Sequence, residues 1–190
     1  MDIPRIRLPH TGMQVPRRFL ILATSLDQVD VGTGIAWSAA LSVWSEDGRF
    51  QGMRLGTAVN NGRGADTLFN PDSPKAAKAL KIYAAMCVDT DGTAPSVDQV
   101  CDHLADEFEI AREVERARRY RYYLLRAFNE WDIPVLMQLK AESGLYPDFE
   151  AAHKAAEQLG LPEGGVRTEL WMGPAREWAQ VLPRPNVTDS

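Results

Sequence analysis

The chain has 190 residues, an apolar content of 45% and a net charge of −5, enough length and apolar side chain to bury a core of ordinary size. Its charge is uneven, +1 over residues 1–95 and −6 over residues 96–190. An acidic chain is a poor non-specific binder of nucleic acid, because that binding rests on neutralising many phosphates, although a local basic patch escapes the argument. No apolar run approaches the roughly 18 residues of a membrane span, and the N-terminus shows no apolar stretch of a secretory signal. The expectation is a soluble cytoplasmic protein with no membrane association.

Residues 1–16 read as an extended lead-in punctuated by Pro4, Pro9, Gly12 and Pro16. Arg17 to Thr24 is the first predicted strand, and Asp27 to Gly34 is predicted as a loop. From Ile35 to Trp44 the residues alternate, with Trp37, Ala39, Leu41 and Val43 on one face. Glu46-Asp47-Gly48 supplies a turn, and Met53, Leu55, Thr57 and Val59 alternate in the return strand. That strand runs into Asn60-Asn61-Gly62-Arg63-Gly64, a loop suited to positive φ and to presenting backbone amides beside a guanidinium.

Ser73 and Pro74 mark a helix start. Its predicted buried stripe is Ala77, Leu80, Ala84 and Cys87. Ser96 opens the longest helix, with Gln99 in capping-box position. Val97, Val100, Cys101, Leu104, Phe108, Ala111 and Val114 share one face. Asp98, Asp102, Asp106 and Glu107 lie toward its start and Arg112, Arg116, Arg118 and Arg119 toward its end, in the order the helix dipole favours, with Glu115 placed to pair with Arg119. Tyr120 to Phe128 reads as a strand, and Pro134 to Lys140 as its partner across the turn Asn129-Glu130-Trp131-Asp132. Asp148 to Leu159 is a short helix closed by Gly160, Val166 to Met172 a last strand, Pro174 to Val181 a helical turn, and Pro183 to Ser190 a disordered tail. The sum is a single α+β domain over residues 1–182, a mostly antiparallel sheet with two main helices packed on one face.

Three groups of residues could carry chemistry. The loop around Asn60, Asn61 and Arg63 could hold a phosphate or carboxylate, since Arg bonds either in bidentate fashion. It lacks the Lys and Ser/Thr of a P-loop and the order of a dinucleotide fingerprint, and a tight turn with a solvated Arg63 explains it equally. The block Arg112, Arg116, Arg118, Arg119, Tyr120, Arg121, Tyr122, Tyr123 and Arg126 resembles the mixture used on single-stranded nucleic acid. The bland alternative is a core tyrosine plus surface ion pairs with Glu109, Glu113 and Glu115. His103 and Glu107 are one helical turn apart and could share a metal, but a third ligand is missing and a surface histidine is the simpler reading. Cys87 and Cys101 fit buried thiols better than a disulfide. There is no G-x-S-x-G elbow, and the helix carboxylates face solvent by periodicity, so no catalytic residue, cofactor or metal is assigned.

Val59 to Gly64, the helix Val97 to Arg119, and Tyr120-Arg121-Tyr122-Tyr123-Leu124-Leu125-Arg126 together resemble a loose group of small uncharacterised phage and plasmid proteins. That group joins a strand pair with an Asn-rich Gly-Arg-Gly loop to a long charged helix and an Arg-rich strand. The likeness covers roughly residues 37–140, and Ala65 stands where a further Gly is expected. It implies a mobile-element setting and no catalytic residues. The leading expectation is a non-enzymatic protein that binds a protein partner, in concrete form an inhibitor of a host defence or nucleic-acid-processing complex. The contacts would be Asn60, Asn61, Arg63, Arg112, Arg116, Arg119, Tyr120, Arg121 and Tyr122. A nucleic-acid-binding accessory protein using the same surface and an enzyme acting on a nucleotide-like substrate stand as alternatives.

Overall fold

A computed structural model describes residues 3–130, 134–140 and 149–183. The fold is α+β, and every described strand pairing is antiparallel. The strands divide among three sheets instead of building one. The chain separates into two compact units, Met1–Ile110 and Ala111–Ser190.

In the first unit, β1 (Arg5–Arg7) and β2 (Gln14–Pro16) form a small hairpin within the predicted lead-in. Next comes a meander in the order β3 (Phe19–Asp30), β4 (Ile35–Ser45), β5 (Gln51–Asn60) and β6 (Leu68–Pro71). Ala39, Leu41 and Val43 of β4 point into the core, as their alternation requires. The neighbouring strands change step beside Leu41. β3 shifts register between Ala23 and Ser25, and β5 shifts against β4 between Leu41 and Ser42. Each extra residue moves the inward positions by one, so β3 buries Ile21 and Ala23 and then Leu26, while β5 buries Leu55 and then Ala58. Met53 is exposed, against the expected alternation, although it stands opposite the buried Val43 of β4. Gly56 occupies the β5 irregularity, where a Cβ would collide with the Asn70 carbonyl oxygen of β6. The predicted loop at Asp27 is strand as far as Asp30, because β4 continues to pair with it through Ile35.

Helix α1 (Pro74–Met86) starts where Ser73 and Pro74 predict. Ser73 Oγ accepts from the Ala76 N–H at 3.2 Å. Its buried residues are Ala76, Leu80, Tyr83 and Ala84; Ala76 takes the place expected of Ala77, and Cys87 is buried just past the end. Helix α2 (Val97–Tyr120) opens with a complete capping box. The Ser96 N–H donates to Gln99 Oε1 at 2.8 Å and the Gln99 N–H to Ser96 Oγ at 3.3 Å. Val100, Cys101, Leu104 and Ala105 join Leu80, Tyr83 and the inward β-strand residues in one core. Cys87 and Cys101 are free buried thiols, each pushed up to about 12 by burial.

The second unit holds a four-stranded sheet in the order β10 (Trp178–Leu182), β9 (Gly165–Trp171), β7 (Tyr122–Asn129) and β8 (Pro134–Lys140). Tyr123 and Leu125 of β7, Leu170 of β9 and Val181 of β10 form one face. It is packed with Ala152 and Ala156 of α3 (Phe149–Leu159). Gly160, at φ 70°, closes α3 as expected. Residues expected as a helical turn before Val181 instead include β10, whose ladder with β9 sets Trp178 opposite Trp171. Trp131, Asp132, Asp148 and residues 184–190 lie outside the described residues. No described helix is long and apolar enough to cross a membrane.

Candidate functional site

The C-terminal end of α2, from Arg112 to Tyr120, and the start of β7 carry the Arg/Tyr block. Arg112, Arg116 and Arg119 occupy positions i, i+4 and i+7, one face of a helix, and all three are exposed. Tyr120 ends the helix and is 63% exposed. Arg121 then takes φ 59°, a left-handed turn usually left to glycine, and its N–H donates to the Arg118 carbonyl at 3.3 Å. The reversal delivers Tyr122 to β7 at 38% exposure and turns Tyr123 into the core.

Neutralisation of the block is incomplete. Arg116 meets Glu113 at 3.6 Å, and Arg118 binds Glu115 through Nε at 2.9 Å and a second nitrogen at 3.0 Å. Those bonds from Arg118 hold the Glu115 carboxyl below its ordinary range and replace the expected Glu115–Arg119 pair. Among the described residues Arg112, Arg119 and Arg121 make no ion pair. Arg126 leaves the block altogether. It binds Glu169 at 2.7 Å and lies 4.3 Å from the Trp178 ring centre, with only 12% of its side chain exposed. Arg167 joins Glu169 at 3.1 Å and stacks 3.7 Å from the Phe128 ring centre. This cross-strand assembly was invisible to sequence spacing, because it depends on the register pairing Arg126 with Glu169 and Phe128 with Arg167.

The register also adds a cation to the block. Lys140 of β8 stands directly opposite Tyr122 of β7 and is exposed. It too makes no ion pair among the described residues. Gln138, two residues earlier on the same strand face, donates to Glu113 of α2 at 3.4 Å. That contact ties the strand end carrying Tyr122 and Lys140 to the helical turn between Arg112 and Arg116.

The Asn60 loop belongs to the first unit and spends its polar groups internally. The Gly62 N–H donates to Asn60 Oδ1 and the Arg63 N–H to Asn61 Oδ1, each at 2.9 Å. Asn60 Nδ2 reaches the Ala65 carbonyl at 3.2 Å and the Thr67 hydroxyl at 3.0 Å. Gly62, at φ 68°, lies so close to Ile35 and Ala36 that a Cβ would sit 2.6 Å from the Ala36 nitrogen. These are the demands of a turn, and two of the amides expected to meet a ligand are already engaged. The Arg63 guanidinium is exposed and, among the described residues, has no ion-pair partner.

The carboxylates at the start of α2 do not all face solvent. Glu107 is buried and accepts from the His10 N–H at 3.0 Å, the Thr11 N–H at 2.8 Å and the Thr11 hydroxyl at 3.1 Å. His103 pairs instead with Asp89 at 3.2 Å. The two residues offered as metal ligands are thus separately engaged, and no metal-binding group of three occurs among the described residues. Thr67 donates to Asp102 at 2.5 Å. Burial nevertheless raises the Asp102 pKa, with Asp98 and Asp66 adding repulsion and the Thr67 bond and His103 opposing.

Comparison with protein-family models, curated proteins and solved structures finds no match for this chain.

Proposed function

We propose that this chain is a binding protein that docks a polyanionic macromolecule on the Arg/Tyr surface at the α2–β7 junction. The single observation carrying this reading is the exposure of Arg112, Arg119 and Arg121, without ion pairs among the described residues, beside exposed Tyr120 and Tyr122. A solvated helix face usually intersperses its charges so that they pair. Here Glu113 pairs with Arg116 and Glu115 with Arg118. In the mobile-element setting that the resemblance implies, the concrete role remains inhibition of a host defence or nucleic-acid-processing complex, and Arg63 is a separate contact point on the first unit.

The test is affinity purification from native host lysate, with and without nuclease, using the parent and Arg112→Ala/Arg119→Ala. Capture should fall at least tenfold in the double variant while its melting temperature stays within about 1 °C, as for other exposed substitutions. Undiminished capture by the folded double variant would remove this surface from the proposal.

A further inference from the structure

Resting on that reading, we propose that the polyanion is a single-stranded nucleic acid, held by Arg112, Arg119, Arg121 and Lys140 at its phosphates and by Tyr120 and Tyr122 at its bases. Three placements carry the inference. Arg112 and Arg119 lie seven residues apart on one exposed helical face, about 10 Å along the axis, so they follow a line and do not converge on one carboxylate. Tyr120 and Tyr122 flank Arg121 at the end of that line, with rings exposed at 63% and 38%. The β7–β8 register then sets Lys140, at the far end of the next strand, opposite Tyr122.

The chemistry favours a strand over a protein partner. Protein hot spots seat aromatic and arginine anchors in a dry patch rimmed by near-neutral contacts. In this block the tyrosines alternate with cations, and each ring has a positive neighbour. That combination suits a flexible chain whose charges repeat along its length and whose unpaired bases offer ring faces. Double-stranded nucleic acid keeps its base faces stacked inside, where Tyr120 and Tyr122 cannot reach them.

The experiment is fluorescence anisotropy of the full chain with labelled oligo-dT and oligo-U of about 12 nucleotides, within the site sizes known for such surfaces. Four phosphate contacts give a log–log salt slope near −3, and Lys140→Ala should reduce its magnitude by about 0.7. Tyr120→Ala/Tyr122→Ala should weaken binding at least fivefold, and Tyr120→Phe/Tyr122→Phe should retain it, because stacking needs the ring and not the hydroxyl. A duplex of equal length should bind more weakly. Circular dichroism and melting of each variant establish that it is folded. Absent binding, a flat salt response, or equal affinity of the Ala and Phe pairs would overturn the assignment. Polyglutamate serves as the second probe. If the parent holds it and Arg112→Ala/Arg119→Ala loses it while no oligonucleotide binds, the docking surface stands and the nucleic acid falls. If neither probe binds, both fall.

Discussion

Thr11 donates both its backbone N–H, at 2.8 Å, and its hydroxyl, at 3.1 Å, to the buried carboxylate of Glu107. With the His10 N–H on the same group, one α2 side chain satisfies the turn that joins β1 to β2. A carboxylate is tolerated there because several donors replace its hydration.

Glu107→Ala should therefore strip an acceptor from two backbone N–H groups and one hydroxyl at once, costing about 3 kcal/mol in urea unfolding. Thr11→Ala removes only the hydroxyl bond and should cost about 1 kcal/mol. Equal losses in the two variants would show that Glu107 is not the organising group.

Asp102 responds to pH in the opposite sense to most carboxylates. Its native pKa is raised from the ordinary 3.8, chiefly by burial. Between 3.8 and that raised value the folded chain holds a proton that the unfolded chain has released, so this group's contribution to stability falls as pH rises through the window. Asp102→Asn, which keeps an acceptor for Thr67, should be as stable as the parent or more stable at pH 7. The advantage should vanish below the ordinary carboxylate pKa. Parallel denaturation curves at acid and neutral pH decide it, and a stability penalty confined to neutral pH would contradict the sign.

Gly62 and Gly64 separate two demands of one loop. Both have positive φ, 68° and 77°, but a Cβ at Gly62 would strike the Ile35–Ala36 backbone while one at Gly64 meets nothing within 4 Å. Gly64→Ala should cost about 1 kcal/mol, the conformational penalty alone. Gly62→Ala should cost more, about 3 kcal/mol once the collision forces the loops apart. Thermal melting that ranks them the other way would reject the close approach.

Thr168 lies on β9 with its hydroxyl buried and, among the described residues, without a hydrogen-bond partner. Thr168→Val preserves shape and removes the unsatisfied oxygen, so it should raise stability by about 1 kcal/mol in urea unfolding. A loss of similar size would mean that the oxygen has a partner in solution.

Local chemistry was legible wherever a residue acts on its neighbours. Ser73 with Pro74, Ser96 with Gln99, the alternation of Ala39, Leu41 and Val43, and Gly160 after α3 each act within a few residues, so their spacing alone announces them. Spacing failed where the partner is far away. The α2 stripe was expected to include Ala111, which is exposed, and to leave Glu107 in solvent; Ile110 and Glu107 are buried instead. Apolar periodicity cannot anticipate a buried glutamate whose donors lie at His10 and Thr11. The same holds for Arg126, withdrawn from the basic block by Glu169 and Trp178.

By itself the order of residues determined the α+β class, the helix starts and the basic–aromatic composition of one short segment, because these follow from propensity, capping and charge along a local stretch. Tertiary structure alone decided which members of that segment make no ion pair among the described residues, which tyrosine is buried, and that Lys140 stands beside Tyr122. Strand register and long-range hydrogen bonds choose among side chains that look equivalent until the chain is folded.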